Sequence, residues 1–275
     1  MRVVRPPAVS GRFYPGTAAE LAKTIRGLFD AAEPTAPPAL FKAAIAPHAG
    51  YVYSGITAAH VFRRAIVPTT VVILAPNHTG ASHAPGGASL WETGAWATPL
   101  GEVSVDEHLA ALITAACDLV SPDHAAHASE HAVEVLVPFL QTLNPDARIV
   151  PLVLSWEDWD RSARLGEALA GVVRRAAEPV LLLASSDLNH YEPASIGEIK
   201  DAHVLQAVQS LDGQEVLGRC RRERISMCGR APVATVCAAA RALGATKAEL
   251  VDYRHSGWVT GDESSVVGYG GLVIA

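Results

Sequence analysis

The chain has 275 residues, an apolar content of 49% and a net charge of −6, so it can bury a sizeable core and is not typical of disordered proteins. No Lys/Arg run marks a surface for nucleic acid or anionic membrane, and no apolar stretch is long enough to cross a bilayer. The first residues, MRVVRPP, lack the apolar core of a signal peptide, and the four cysteines show no C-x-x-C spacing. We therefore expect a cytoplasmic protein with free thiols.

The predicted elements alternate between helices and strands from the first capping signal to the end of the chain. In chain order they are a helix from Thr17 to about 33, a strand at 43–46, a helix capped by Ser54, a strand at 71–75, a loop with short strands at 79–101, helices at 106–117 and 130–141, a strand at 148–154, a helix capped by Ser155 that runs to 177, a strand at 179–184, helices within 196–224 and at 231–243, and strands at 248–253 and 265–274. This alternation predicts one α/β domain, residues 1–275, with a central, mostly parallel sheet flanked by helices.

Two histidines follow buried strands in matching positions. His48 comes after the run AAIAP and His78 after VVILAPN. Because the carboxyl ends of parallel strands face the ligand crevice of an open α/β sheet, we expect both imidazoles to meet there. A single histidine in such a place is usually a hydrogen-bonded core or turn residue, but two at matching strand ends favour metal ligation.

A third strand end carries the segment SSDLNH at 185–190. Asp187 is a candidate to orient a ligand imidazole, and His190 to exchange protons with a bound substrate. The spacing equally allows Asp187 to be a helix cap and His190 to lie in a surface turn. Cys228 stands just before a predicted helix and beside Arg230, a context in which a thiol is expected to ionise more readily.

A rival cluster lies at 124–131, HAAHASEH, whose last five residues match the H-x-x-E-H pattern of one class of zinc proteases. A match of five residues is weak and needs a helix already formed at His127. We favour a turn capped by Ser129, with only Glu130, His131 and Glu134 near the crevice. Nucleophile-elbow, dinucleotide and phosphate-loop motifs are absent from the sequence.

Taken together, several segments resemble the Memo family, known in prokaryotes as AmmeMemoRadiSam system protein B. The segments are APHAGY (46–51), PNH (76–78), EHAVE (130–134), SSDLNH (185–190), CGR (228–230) and DESSVVGY (262–269). They cover nearly the whole chain in the expected order. The family is similar in fold to class III extradiol dioxygenases of the LigB type, which hold non-haem Fe(II) with two histidines and a glutamate. The resemblance thus implies a class III extradiol dioxygenase-like domain.

For the metal, the resemblance implies that His48 and His78 are two ligands and that Cys228 stands in the third position. Asp187 and His190 match further site residues, to which it gives catalytic roles. Fe(II) is the expected metal, with copper or zinc as alternatives, because a thiolate is a softer ligand than the carboxylate of the dioxygenases. A thiolate ligand can also be oxidised itself. The similarity in fold therefore does not imply that this protein cleaves aromatic rings as the dioxygenases do.

The remaining site predictions concern the substrate and partners. Phe13, in the segment FYP where the family often has a tryptophan, is expected to contact the substrate together with Glu130 and His131. The leading hypothesis is a metal-dependent redox or oxygenase-like enzyme of unknown substrate. The alternative is a non-catalytic module that binds a peptide or small ligand in a vestigial crevice. The prokaryotic family name implies radical-SAM and AMMECR-type proteins as partners.

Overall fold

The computed structural model describes residues 3–33 and 36–275, and its strands join one sheet. The strands in these residues are β1 (Val4–Arg5), β2 (Ala43–Ala46), β3 (Thr70–Pro76), β4 (Ala88–Leu90), β5 (Ala95–Thr98), β6 (Gly101–Val105), β7 (Val120–Pro122), β8 (Arg148–Leu154), β9 (Val180–Ser185), β10 (His190–Glu192), β11 (Ala248–His255) and β12 (Val266–Ile274). The helices are α1 (Ala18–Ala31), α2 (Tyr51–Arg64), α3 (Glu107–Ala116), α4 (Ala125–Ala128), α5 (Val137–Leu143), α6 (Trp159–Val173), α7 (Ala194–Gln209), α8 (Gly213–Arg222), α9 (Arg230–Ala242) and α10 (Gly257–Thr260). A 3₁₀ turn, Glu134–Leu136, precedes α5.

The centre of the sheet is parallel, in the order β8-β3-β9-β2, and antiparallel strands β12 and β11 follow β2. β2 and β3, which precede the two histidines, are therefore not direct neighbours, because β9 runs between them. All three strands point the same way. Their carboxyl ends consequently bring His48, His78 and Asp187 to one edge of the sheet.

Both faces of the central strands are buried. Successive residues of β3 alternate between two core clusters: Val72 and Leu74 belong to the cluster under α3, α6 and α9, and Val71 and Ile73 to the cluster under α1, α2 and α5. This alternation explains why the strand sequences are continuously apolar rather than alternating. The predicted α/β domain with a mostly parallel central sheet and flanking helices is confirmed.

Two helix starts differ from the sequence prediction. α2 begins at Tyr51 after Gly50, and the Ser54 hydroxyl, predicted as the cap, donates to the Ala49 carbonyl from inside the first turn. α6 begins at Trp159 with Asp158 as its cap, whereas the Ser155 hydroxyl accepts from the Asn77 side chain. In both cases a nearby backbone or side chain competes for the serine hydroxyl.

Residues 130–141 do not form the single helix that was predicted. The Glu130 carboxylate accepts the backbone N–H groups of His131 and Ala132, so these residues form a turn instead of a first helical turn. α5 starts later, and Pro138 lies in its first turn, where a missing N–H costs nothing. Among the described residues we find no helix with the length and apolar character that a bilayer crossing requires.

Candidate metal centre

His48 presents one defined ring nitrogen to the edge of the sheet. Its backbone N–H donates to Asp187 Oδ1 at 2.8 Å, and its Nδ1 lies 2.7 Å from Ser185 Oγ. Because the Ser185 hydroxyl donates its own proton to the Ala132 carbonyl at 2.6 Å, Ser185 Oγ must accept from His48 Nδ1–H. His48 Nε2 therefore carries the lone pair of the ring, and the residue is 1% exposed.

His78 is held by one carboxylate through both its ring and its backbone. Nδ1 lies 2.9 Å from Glu130 Oε1, and the backbone N–H donates to Glu130 Oε2 at 2.6 Å. Glu130 is fully buried. A carboxylate bonded to Nδ1 places the ring proton there and leaves Nε2 as the metal-binding atom, an arrangement found repeatedly behind histidine ligands.

The same carboxylate also reaches His131. The His131 backbone N–H donates to Glu130 Oε1 at 2.8 Å, and its Nδ1 lies 3.4 Å from that oxygen. The His131 ring stacks on His78 with centroids 4.6 Å apart, and Phe13 covers it at 4.8 Å. Glu130 therefore lies behind two adjacent imidazoles rather than in the wall of the cavity, and substrate contact by Glu130, His131 and Phe13 stays a prediction.

The three imidazoles form a group that could hold a metal ion. One ligand nitrogen from each of His48, His78 and His131 lies within 4.8 Å of the other two. The His48 ring centroid is 5.2 Å from that of His78 and 5.4 Å from that of His131. Imidazole nitrogens suit iron, copper and zinc, so the donor set fits a transition metal but does not identify it.

Cys228 lies beside this group. Its Sγ is 3.3 Å from His48 Nε2, and the Asp187 backbone N–H donates to the same sulfur at 3.3 Å. The loop is fixed close to β9 because Gly229 packs on Ser186, where a Cβ would meet the Ser186 side chain at 2.4 Å. Cys228 is not a member of the three-imidazole group, and its role as a ligand stays a prediction.

Burial and mutual repulsion set the charge of the histidines. The pKa of His48 is well below its ordinary value because the ring is buried and faces His131 and His78. The pKa of His131 is lowered mainly by burial. Burial also acts to lower the pKa of His78, but the hydrogen bond to Glu130 and the charge of that carboxylate outweigh it and leave the pKa raised. Two of the three rings are thus neutral donors at neutral pH.

The acidic groups show the opposite response to burial. Burial raises the pKa of Asp187 to about 7, against the backbone N–H groups of His48 and Ala49 that favour its charged form. Burial and the nearby Asp187 charge also raise the pKa of the Cys228 thiol. The sequence expectation that this thiol ionises readily is therefore wrong for the metal-free protein. The cost of desolvating the thiolate outweighs the lowering of the pKa that was expected from the helix amino terminus and from Arg230.

A cavity of about 690 Å³ opens over the imidazoles. Asp187, His190 and Phe13 line it, together with the aromatic rings of Tyr191 and Tyr269. The backbone N–H of His190 donates to Ser226 Oγ, and the buried Nδ1 has no hydrogen-bond partner among the described residues. Asp187 contacts the His48 backbone rather than an imidazole ring, so it positions the strand end and not a ring tautomer.

The rival histidine cluster does not converge. The ring of His124 pairs with Glu92, and the His127 ring is buried against the Ser89 carbonyl. Only His131 of that segment reaches the metal centre. Glu134, expected near the crevice, instead binds the buried Arg5 guanidinium at 2.7 Å. Sequence reasoning missed Arg5, because an arginine beside Val4 and Pro6 carries no pattern that predicts burial.

Comparisons with known proteins agree with this picture. The family model described as Memo-like protein matches residues 5–273. A MEMO1 family protein of Methanothermobacter thermautotrophicus is 39% identical over 279 residues, covering 98% of this chain and 100% of the relative, and one of Aeropyrum pernix is 41% identical over 280 residues, covering 97% and 98%. The crystal structure of the uncharacterized protein JW3007 from Escherichia coli K12 superposes with a TM-score of 0.53 at 12% identity, covering 85% of this chain and 99% of that one, which supports the fold alone. The chain belongs to the Memo family.

Proposed function

We propose that this protein is a redox-active metalloprotein that holds a transition metal at the carboxyl edge of its sheet. His48 and His78 are the two constant donors in this proposal, and His131 and Cys228 compete for the third position. Fe(II) is the first candidate and copper the second, with zinc as the redox-inactive alternative. The observation that carries the proposal is the three-imidazole group, whose ligand atoms lie within 4.8 Å of one another.

The donor chemistry supports a resident metal. His48 and His78 each have Nδ1 engaged by a hydrogen-bond acceptor, so both direct Nε2 at the same region. Two mostly buried neutral imidazoles, His48 and His131, and the protonatable ring of His78 bring one ligand nitrogen each within 4.8 Å of the others, with the Cys228 sulfur 3.3 Å from His48 Nε2. A bound iron or copper ion would supply the one-electron and O₂ chemistry that the protein's own side chains lack.

The surrounding residues suit a small substrate. His190 lines the cavity, where its imidazole can exchange a proton with a bound hydroxyl group. Phe13, Tyr191 and Tyr269 offer apolar ring surface on the cavity wall, and Asp187 holds the His48 backbone in place. These residues would bind and orient a substrate beside the metal, while the fold similarity alone does not indicate which reaction follows.

Metal analysis tests the proposal directly. We expect protein purified without added metal to contain close to one equivalent of iron or copper, and the His48→Ala/His78→Ala variant to contain almost none. His108→Ala is the matched control, because His108 is exposed on α3 and lies outside the imidazole group. Equal metal content in the wild type and the double variant would contradict the proposal.

The third donor can be identified with Co²⁺. If Cys228 coordinates, the Co²⁺-loaded protein will show a sulfur-to-cobalt charge-transfer absorption that is lost in Cys228→Ser and kept in His131→Ala. If His131 coordinates instead, the Co²⁺-loaded wild type will show no sulfur-to-cobalt band. The visible ligand-field bands of the His131→Ala variant will then differ from those of the wild type.

The redox role and the partners need separate tests. We expect the Fe(II)-loaded wild type to consume O₂ faster than the same amount of Fe(II) with the His48→Ala/His78→Ala variant. Metal binding without O₂ consumption would instead favour the non-catalytic binding module. We further propose association with radical-SAM and AMMECR-type proteins, as the prokaryotic family name suggests. Co-purification with the products of neighbouring genes is the test of that association.

A further inference from the structure

A segment near the amino terminus crosses the outside of the metal centre. Residues 4–14, here called the strap, begin with β1, which pairs with β5 so that Arg5 lies opposite Trp96. The Arg5 guanidinium is 4.1 Å from the Trp96 ring centroid, and its side chain is fully buried. A buried arginine needs a hydrogen-bond partner for each of its nitrogens, so the partners show what it holds.

All three Arg5 nitrogens bind one loop. Residues 127–134, here called the ligand loop, include both Glu130 and His131. Nε of Arg5 donates to the His127 carbonyl at 2.7 Å, and one terminal nitrogen donates to the Glu130 carbonyl at 2.6 Å. The other donates to the Glu134 carboxylate at 2.7 Å. The guanidinium therefore fixes the beginning, the middle and the end of the ligand loop from a position about 120 residues away in sequence.

The strap closes over this loop through Glu134. The Glu134 carboxylate also accepts the backbone N–H groups of Ala8 and Val9, at 2.8 and 3.0 Å, and the Tyr14 hydroxyl at 2.6 Å. Phe13, the neighbouring strap residue, packs against the His131 ring. The strap is thus bound to the ligand loop near its beginning, at its middle and at its end, where it contacts the third imidazole.

We infer that Arg5 is a positioning residue for the metal centre. It holds the Glu130 carbonyl, so it sets where the Glu130 carboxylate meets His78 and His131. This inference rests on the proposed function, since it assumes that these imidazoles bind a metal. A buried ion pair is by itself weak evidence of a stabilising role, but here the guanidinium contacts converge on the loop that carries the carboxylate and one imidazole.

Only an arginine can make these bonds together. A lysine at position 5 would keep the charge beside Glu134, but one ammonium group cannot reach two carbonyls and a carboxylate spread over a planar fork. Arg5→Lys is therefore the informative substitution, because it preserves the buried ion pair with Glu134 while removing the hydrogen bond to the Glu130 carbonyl.

The test is a Co²⁺ titration of metal-stripped, full-length protein well below its melting temperature. We expect Arg5→Lys to weaken Co²⁺ binding by about 10-fold or more, the scale of changes behind histidine ligands. Arg64→Lys is the matched control. Arg64 is also buried, pairs with Glu249 at 3.0 Å and donates to the Pro37 carbonyl, but it lies at the far end of α2. The Arg64→Lys variant should be less stable than the wild type but bind Co²⁺ with an affinity within about twofold of the wild-type value.

Hydrogen exchange supplies a second readout that general destabilisation would not mimic. Amides of residues 127–134 should exchange faster in Arg5→Lys and at the wild-type rate in Arg64→Lys. If Arg5→Lys does not fold, Arg5→Met/Glu134→Gln replaces it, because this variant removes both charges and its glutamine oxygen still accepts one of the two strap N–H groups, that of Val9 or that of Ala8. Unchanged Co²⁺ affinity in whichever Arg5 variant folds, beside a wild type that binds Co²⁺, would overturn the inference. A wild type that binds no Co²⁺ would overturn the proposed function and this inference with it.

Discussion

Replacing Glu130 by glutamine is the substitution that separates a metal centre from a cluster of core histidines. The buried carboxylate accepts four N–H groups: Oε1 those of His78 Nδ1, His131 and Ala132, and Oε2 that of the His78 backbone. A glutamine must place an NH₂ group at one of these two positions. In either orientation an N–H then opposes an N–H, and His78 loses its ring bond or its backbone bond.

The expected loss follows from what that bond does. Partners behind histidine ligands typically contribute 10- to 100-fold in metal affinity, which corresponds to about 1.4–2.8 kcal/mol. Glu92→Gln is the matched control, since Glu92 also pairs with a histidine, His124 at 3.0 Å, but this pair is partly exposed and His124 is not a member of the imidazole group. We expect Glu92→Gln to leave the affinity unchanged.

The assay is competition for Zn²⁺ or Co²⁺ against a chromophoric chelator between pH 5.5 and 8. In the wild type the raised pKa of His78 makes protons compete, so affinity falls as the pH drops through that pKa. Without the Glu130 charge, burial lowers the His78 pKa, and the decline moves to lower pH. The ratio of the wild-type metal affinity to that of Glu130→Gln should therefore fall as the pH decreases. Equal affinities for wild type and Glu130→Gln at pH 8 would refute the reasoning.

Two further predictions concern stability and the position of the sulfur. Burial raises the pKa of Asp201 from 3.8 to about 6, so the folded state binds the carboxyl proton more tightly than the unfolded state does. The resulting stabilisation is fully present below about pH 4 and is lost as the pH rises through 6. The free energy of unfolding of Asp201→Asn, measured with urea, should therefore rise by up to about 3 kcal/mol relative to that of the wild type between pH 4 and 7. A difference between the two proteins that does not change with pH would contradict this prediction. Gly229→Ala would bring a Cβ to 2.4 Å from the Ser185 carbonyl, which should cost about 1–3 kcal/mol and displace Cys228. An unchanged melting temperature would show that the loop relaxes freely.

The convergence of His48, His78 and Asp187 could be predicted because it depends only on strand direction. Each follows a continuous apolar run, and parallel strands buried on both faces must end at the same edge. The prediction succeeded although β9 separates β2 from β3, since the crevice spans more than one strand. The place of Cys228 beside the imidazoles, in contrast, was implied by the resemblance to the Memo family and not by strand direction.

The remaining features depend on contacts between distant parts of the chain. His131 joins the other imidazoles because a buried carboxylate and Arg5 shape a loop that has no periodic pattern. The charge state of Cys228 was predicted in the wrong direction, because the sequence shows the nearby Arg230 but not the burial or the Asp187 carboxyl group. Local sequence thus predicts where strands end, whereas burial and long-range hydrogen bonds decide which groups act as donors.

The most direct test of the metal centre is anomalous X-ray scattering from crystals grown without added metal, recorded at the iron, copper and zinc edges. The account predicts one anomalous peak within coordination distance of Nε2 of His48 and Nε2 of His78, with His131 or Cys228 as a third neighbour. A peak located elsewhere, or a fully ordered imidazole group without any peak after growth in metal-replete medium, would contradict it.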